Sequence, residues 1–301
     1  FLAMAILIAA GSNLWHPGAI PYLSARYKGQ RGYVLSIHSF WSNVGDSAAP
    51  AVAGAMISGW FILEFTWRET VLWNIAPILI ALPFIVFFIL LEPQPDTQSK
   101  QRGMALRHYF IGLWAQIKSP IVIGLSVVSG FRSAAQSGLR LFLPVYMVDT
   151  AGLPLVYAGL ALMALNIGGS IAAIPAGIAS DKYGRRPVVM LSLGVSTMLI
   201  AGFTLIENEI AMVGGVCLIG FSIYALRPVM VSWIMDVTPE ELGGSATNLL
   251  STAQGVFNSV LPIVAGIIAT KYGLASVFYL FAALLLAANI VTYFLPKGMS
   301  R

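Results

Sequence analysis

Arg132, Gln136 and Arg140 recur at i, i+4 and i+8 inside one long apolar run, so a helix carries all three on one face. A guanidinium in an apolar setting is costly, and its fork of donors fits a carboxylate, phosphate or phosphonate two-pronged. Ser129 and Ser133 adjoin that face. In a second run Tyr224 stands three residues before Arg227, which precedes Pro228. Near the start, Asn13, Trp15 and His16 precede Pro17. Asn13, Trp15, His16, Arg132, Gln136, Tyr224 and Arg227 are therefore the candidate polar residues for holding a small solute that bears an acidic group. Arg140 has a second reading, in which it snorkels outward to water.

His38, Ser42 and Asp46 show the same i, i+4, i+8 spacing. Asp46 is the one acid deep within an apolar run. It is either an ion-pair partner for Arg132 or Arg227, or a proton carrier, since a low dielectric disfavours the charged carboxylate. His38 could titrate near neutral pH or serve as a structural contact, and the same holds for His16. Asp46 and His38 are the candidates for coupling solute movement to protons.

Chemistry of other kinds has little to work with. The three histidines, His16, His38 and His108, are scattered, and Cys217 is the single cysteine. No H-E-x-x-H or Walker sequence occurs. No catalytic residue, metal site or cofactor is expected, and the chain is not read as an enzyme.

The elements that position these residues follow from composition. The chain has 301 residues, 58% apolar and 10% charged, against about 25% charged in a soluble domain. A water-soluble fold cannot cover that much apolar surface. Nine runs are long enough to span a bilayer as helices: 1–24, 32–58, 70–91, 120–147, 154–180, 187–206, 208–235, 244–270 and 274–295. The runs are near-continuous, which excludes the alternating pattern of a membrane barrel. One connection, 92–119, is long. Alternate loops divide the basic residues unequally. Arg26, Lys28, Arg31, Lys100, Arg102, Arg107, Lys118, Lys182, Arg185, Arg186, Lys297 and Arg301 fall on one side, and Arg68 and Lys271 on the other. The first side is predicted to be cytoplasmic, with Phe1 outside and Arg301 inside. The formal net charge of +5 reflects these loops and not a nucleic-acid surface.

A displacement of 212 residues lays Gly32–Gly54 over Gly244–Gly266. Gly32 meets Gly244, Ser39 meets Ser251, Val44 meets Val256, Ser47 meets Ser259 and Pro50 meets Pro262. Asp46 falls on Asn258, Ser42 on Gln254 and Trp15 on Arg227. Two parallel pseudo-repeats follow, with three upstream spans expected before Phe1, roughly 90–100 residues, and twelve spans in all.

Residues 177–186 read Gly-Ile-Ala-Ser-Asp-Lys-Tyr-Gly-Arg-Arg. Gly177, Asp181, Lys182, Gly184, Arg185 and Arg186 resemble the G-x-x-x-D-[RK]-x-G-[RK]-[RK] loop of the major facilitator superfamily. The resemblance implies an all-α integral membrane protein whose nine helices here are helices 4–12. Residues 1–91 would close the N-terminal bundle, 92–119 form the central cytoplasmic loop and 120–301 the C-terminal six-helix bundle. It also implies a cytoplasmic gate at this loop. Asp181 can meet the N-terminal dipole of a neighbouring helix, and Lys182, Arg185 and Arg186 can pair with Asp236, Glu240 and Glu241. The other reading is that the basic residues only set topology. Gly45, Pro50 and Gly54 are similar to the family's antiporter signature on helix 5, with Ala49 and Ala53 where glycine is usual. A generic small-residue helix interface is the other reading. Trp15-His16-Pro17, Ser36-Ile37-His38 and Asn43-Val44-Gly45 look like the fosmidomycin-resistance branch, which implies efflux of a small anionic antibiotic.

The family resemblance thus implies a secondary active transporter using alternating access, proton-coupled and exporting an anionic compound or drug. An importer of the same fold, or a truncated non-transporting protein, is the alternative. The implied partners are a small-molecule solute, the proton and the lipid bilayer, without nucleic acid. A monomer in the cytoplasmic membrane of a bacterium is expected.

Overall fold

The computed structural model describes residues 19–57, 66–73, 75–91, 114, 118–239 and 242–295. Asn13, Trp15, His16 and Glu240 lie outside the described residues. So do the side chains of Asp46, Pro50 and Gly54, whose backbone is helical.

All regular structure among the described residues is helical. Helix α1 is described over 19–26. There follow α2 (Arg31–Ile57), α3 (Trp67–Trp73), α4 (Ala76–Leu91), α5 (Pro120–Val145), α6 (Leu155–Tyr183), α7 (Arg185–Phe203), α8 (Glu209–Tyr224), α9 (Leu226–Val237), α10 (Gly243–Tyr272) and α11 (Ala275–Phe294). The chain divides into two compact units, Phe1–Val44 with Ile111–Arg301, and Gly45–Phe110.

In the smaller unit, α4 is apolar on every side. Leu79, Ile80, Leu82, Phe84, Phe87 and Leu90 are all exposed, as suits a helix facing lipid tails. Helix α3 begins with a capping box. The Thr66 amide and hydroxyl each donate to Glu69 Oε2 at 2.8 Å, and the Glu69 amide donates to Thr66 Oγ1 at 3.4 Å.

Five helical stretches among the described residues are long and apolar enough to cross a membrane: Tyr157–Tyr183, Arg185–Phe203, Glu209–Val237, Gly243–Tyr272 and Ala275–Phe294. Helix α5 is not one of them, because Arg132, Gln136, Arg140 and its serines lower its hydropathy. Its polar face is instead turned inward, with Ser129, Arg132, Ser133 and Gln136 all buried.

Lipid tails are as apolar as leucine, so close packing rather than hydrophobic burial holds such helices together. Helix α6 crosses α8 most intimately. Gly168 lies against the Cys217 carbonyl and Gly220 against the Leu165 carbonyl, with no room for a side chain at either position. Helix α5 packs on α10 and α11, and α11 on α7. Where α5, α7 and α11 meet, Tyr146, Phe203, Phe278 and Phe281 form a buried aromatic cluster, with Tyr146 and Phe278 centroids 4.8 Å apart.

The apolar run 208–235 is not one straight helix. It breaks at Ala225 into α8 and α9. Pro228 has no amide hydrogen to give the carbonyl four residues back, which is that of Tyr224. The break therefore falls where the run carries its polar residues. Similarly, α5 runs past Pro144 into a wide π turn at Tyr146–Thr150, and Gly152 takes a positive φ of 69° just after it.

Candidate functional site

The loop between α6 and α7 is built around Gly184, whose φ of 92° lets the chain reverse in one residue. Two residue clusters matter, one at this loop and one deep in the bundle.

At the loop, Asp181 Oδ1 accepts from the Gly32 amide and Oδ2 from the Tyr33 amide, both at 3.0 Å. These are amides of the first turn of α2, which have no partner within their own helix. The carboxylate thus neutralises the positive end of α2. Arg185 pairs with Asp181. Its Nη1 also donates to Ser180 Oγ at 2.7 Å, and its Nε to Asp236 Oδ2 at 2.9 Å. The other oxygen of Asp236 accepts from Arg31 Nη1 at 2.9 Å. Arg31 Nε donates to the Ser24 carbonyl at 2.9 Å. One alternating chain, Asp181–Arg185–Asp236–Arg31, therefore ties α2, α6, α7 and α9. Its side chains are between 12% and 35% exposed, so solvent screens it only partly. Gly177 makes this approach possible, since its α-carbon lies against Ser36 and the Gly32 carbonyl.

Of the three basic residues expected to pair with acids, Arg185 reaches Asp236. Arg186 donates to the Tyr293 carbonyl and stacks on its ring at 5.5 Å. Lys182 Nζ lies 5.3 Å from the Tyr183 ring centroid. Successive helical residues point about 100° apart, so neighbours in the motif meet different helices. Glu240 and Glu241 lie outside the described residues. Sequence reasoning missed Arg31 and Ser180. The place of Arg31 at the start of α2 is the signal that marks it.

Deep in the bundle, Arg132 is only 2% exposed. Its Nη1 donates to Gln136 Oε1, one turn on. Arg227, Tyr224 and Arg140 all lie within electrostatic reach of Arg132. Arg140 is exposed, with its guanidinium 5.6 Å from the Tyr224 ring centroid. Arg227 lines a cleft with His38, Ser39, Ser42, Ile20, Leu35, Pro228 and Val231. Arg132 is thus bonded to Gln136, Tyr224 lies beside Arg140, and Arg227 shares a cleft with His38. Gly45 lies in α2 and is exposed.

The serines beside Arg132 and Gln136 bond α5 to α10. Gln254 Nε2 donates to Ser129 Oγ at 2.6 Å and Asn258 Nδ2 to Ser133 Oγ at 3.1 Å. Ser129 and Ser133, which adjoin the arginine face, are therefore rungs between helices. Only the helix partner could distinguish those roles. Among the described residues, no group of three or more His, Cys, Asp or Glu could hold a metal ion.

Known proteins resemble this chain in sequence and fold. The family model described as Major Facilitator Superfamily matches residues 1–173 and 125–299. The chain is 29% identical over 136 residues to the multi-drug resistance efflux pump PmrA of Streptococcus pneumoniae, a match covering 45% of this chain and 34% of that protein. It is 26% identical over 314 residues to the uncharacterized MFS-type transporter YfkF of Bacillus subtilis, covering 98% of this chain and 72% of YfkF. The probable galactarate/D-glucarate transporter GudP of Escherichia coli is 24% identical over 250 residues, 73% of this chain and 55% of GudP. The chain thus spans about a third of PmrA and about half of GudP. A crystal structure of a bacterial homologue of the iron transporter ferroportin, in an outward-facing state, superposes with a TM-score of 0.64 at 17% identity. It covers 87% of this chain and 64% of that one, a likeness of fold. The apolar helices, the Gly177–Arg186 loop and the family match together identify a multi-pass membrane protein of the major facilitator superfamily.

Proposed function

We propose that this chain forms most of a secondary active transporter that moves a small organic anion by alternating access. The observation that carries this reading is Arg132. It is a buried guanidinium whose described hydrogen bond goes to an amide, with further cationic side chains in reach and no described carboxylate within ion-pair distance. A buried cation so placed is strongly destabilising until an anion joins it. A small cleft lined by Arg227 and His38 offers a second cation.

In this reading residues 1–91 belong to one bundle, 92–119 link it and 120–301 form the other, the halves being parallel repeats. Nine of twelve membrane helices would then lie in this chain. Asp181, Arg185, Asp236 and Arg31 latch the cytoplasmic side, with Gly177 and Gly184 shaping the turn. Gly45, Pro50 and Gly54 pack α2. Asp46 and His38 carry the coupling proton, and the protein works as a monomer in a bacterial cytoplasmic membrane. Relatives named as multidrug efflux pumps support export. The relative named for galactarate and D-glucarate, both sugar diacids, supports the anionic solute.

The test is transport by the protein as it occurs in its native membrane, reconstituted in vesicles under a pH gradient. A panel of carboxylates and phosphonates should include transported members. Arg132→Gln should lower their uptake about ten- to hundredfold, the loss of one or two charge-assisted hydrogen bonds. Transport of cations alone, or anion transport indifferent to Arg132, would reject the reading.

A further inference from the structure

A second cleft lies where the end of α1 meets the connection between α9 and α10. Pro21 and Ser24 line it from α1, Arg31 from the start of α2, and Met235, Thr238 and Gly243 from the far side. Arg31 bridges it. Its Nε donates to the Ser24 carbonyl at 2.9 Å, while Nη1 donates to the Met235 carbonyl at 3.3 Å and to Asp236 Oδ1 at 2.9 Å. One guanidinium thus draws the ends of α1 and α9 together. The start of α10 closes on the same point, since a β-carbon on Gly243 would stand 3.2 Å from Met235 Sδ and 3.5 Å from Pro21 Cβ.

This closure seals two hydroxyls. Ser24 is 3% exposed and Thr238 9%, and neither hydroxyl oxygen has a hydrogen-bond partner among the described residues. Other buried hydroxyls of the bundle bond to the carbonyl four residues back, as those of Ser36, Ser232, Thr247 and Thr292 do. Thr238 has no such turn, because it is extended just past the end of α9, with a φ of −112° and a ψ of 138°. A hydroxyl that gives up water and gains no partner opposes the contact that buries it. Two of them beside one arginine–aspartate pair call for a reason.

The displacement of 212 residues supplies a second observation. It relates Ser24 to Asp236 and Arg31 to Gly243, and α2 and α10 begin at Arg31 and Gly243. Repeats that face each other about a two-fold axis make each contact twice, residue i with j and j with i. An acid at position 24 with a base at position 243 would therefore double the Arg31–Asp236 clasp. Serine and glycine stand there instead. The clasp is made once, and its other half is the cleft with an unpartnered hydroxyl.

Resting on the alternating-access reading and its latch, we propose that this half-built clasp is a counterweight in the cytoplasmic gate. The Arg31–Asp236 pair favours closure. The sealed Ser24 and Thr238 hydroxyls favour opening, where water reaches them. Their opposition keeps the closed and open arrangements close enough in free energy for the gate to cycle.

The experiment uses the native protein reconstituted in vesicles, with spin labels at the exposed positions 27 and 183 and Cys217 replaced. Asp181→Ala first enlarges the long-distance, open population. Adding Ser24→Ala and Thr238→Val to it should raise the closed-to-open ratio about tenfold. Adding Thr238→Ser, which keeps the hydroxyl, should leave the ratio as Asp181→Ala alone sets it. Without Asp181→Ala, the pair Ser24→Ala and Thr238→Val should leave the thermal unfolding temperature level or higher. A lower unfolding temperature would show that the hydroxyls make structural bonds. A rise in the ratio with Thr238→Ser equal to that with Thr238→Val would show that side-chain volume is responsible. Either overturns the proposal. If Asp181→Ala opens the gate and the hydroxyl variants do not reclose it, the counterweight fails alone. If Asp181→Ala opens nothing, the latch reading fails and the counterweight with it.

Discussion

Gly220→Ala should lower the unfolding temperature of the protein sharply, and Gly220→Val should leave little folded material. A β-carbon at Gly220 would enter the space of the Leu165 carbonyl and its α-carbon. Backbone cannot step aside as a flexible side chain can, so α8 would have to move off α6. Overpacking of this kind costs about 1–3 kcal/mol for a single methyl group. A bulkier valine exceeds that range, because the Gly168 contact with the Cys217 carbonyl would be lost with it. The control is Gly214→Ala on the same helix, where nothing lies within 4 Å of the added carbon. There the lower chain entropy of alanine should leave stability unchanged or up to about 1 kcal/mol higher. Thermal unfolding in detergent reads both. Equal unfolding temperatures for the two alanine variants would mean that α6 and α8 are not in backbone contact.

The second large effect is at Asp181. Asp181→Ala removes both acceptors from the Gly32 and Tyr33 amides and the partner of Arg185. The start of α2 then loses its counter-charge, and Arg185 keeps only Ser180 and Asp236. Breaking a fully buried pair costs about 3–5 kcal/mol. This one is partly exposed, and about 1–3 kcal/mol is the appropriate scale. That corresponds to a roughly ten- to hundredfold shift between the arrangement that holds these contacts and one that lacks them. Spin labels at the exposed positions 27 and 183, with Cys217 replaced, would register it as a growing long-distance population. A distance distribution identical to that of the unsubstituted protein would show that the cluster does not latch the cytoplasmic side. Gly177→Val should act in the same direction, since its side chain would separate α6 from Gly32 and Ser36.

Much of this was legible because the bilayer restricts what a sequence can do. Continuous apolar runs must be helices when no water is present to satisfy the backbone. The runs 154–180, 187–206, 244–270 and 274–295 accordingly match α6, α7, α10 and α11 within a few residues. The Gly177–Arg186 loop was legible as a turn because glycine alone tolerates the φ that Gly184 adopts. Placing Arg132, Gln136 and Arg140 on one face required only the helical period. Their fates still diverged, since Arg132 is buried and Arg140 exposed, and that depends on how far each lies from the helix end. The break at Ala225 was signalled by Pro228, but its consequence was not. A period-based reading put Tyr224 and Arg227 on one face. The break leaves Tyr224 buried and Arg227 on the cleft.

Composition and pattern alone determined that this protein is helical and lies in a membrane, because each follows from local chemistry and the solvent. Tertiary structure decided which polar residues work together. Asp181 meets the amides of Gly32 and Tyr33 about 150 residues away, and Arg31 shares Asp236 with Arg185. Gln254 and Asn258 claim the serines of α5. A hydrogen bond requires its partners within about 3 Å. No periodicity along one helix reveals which other helix arrives at that distance.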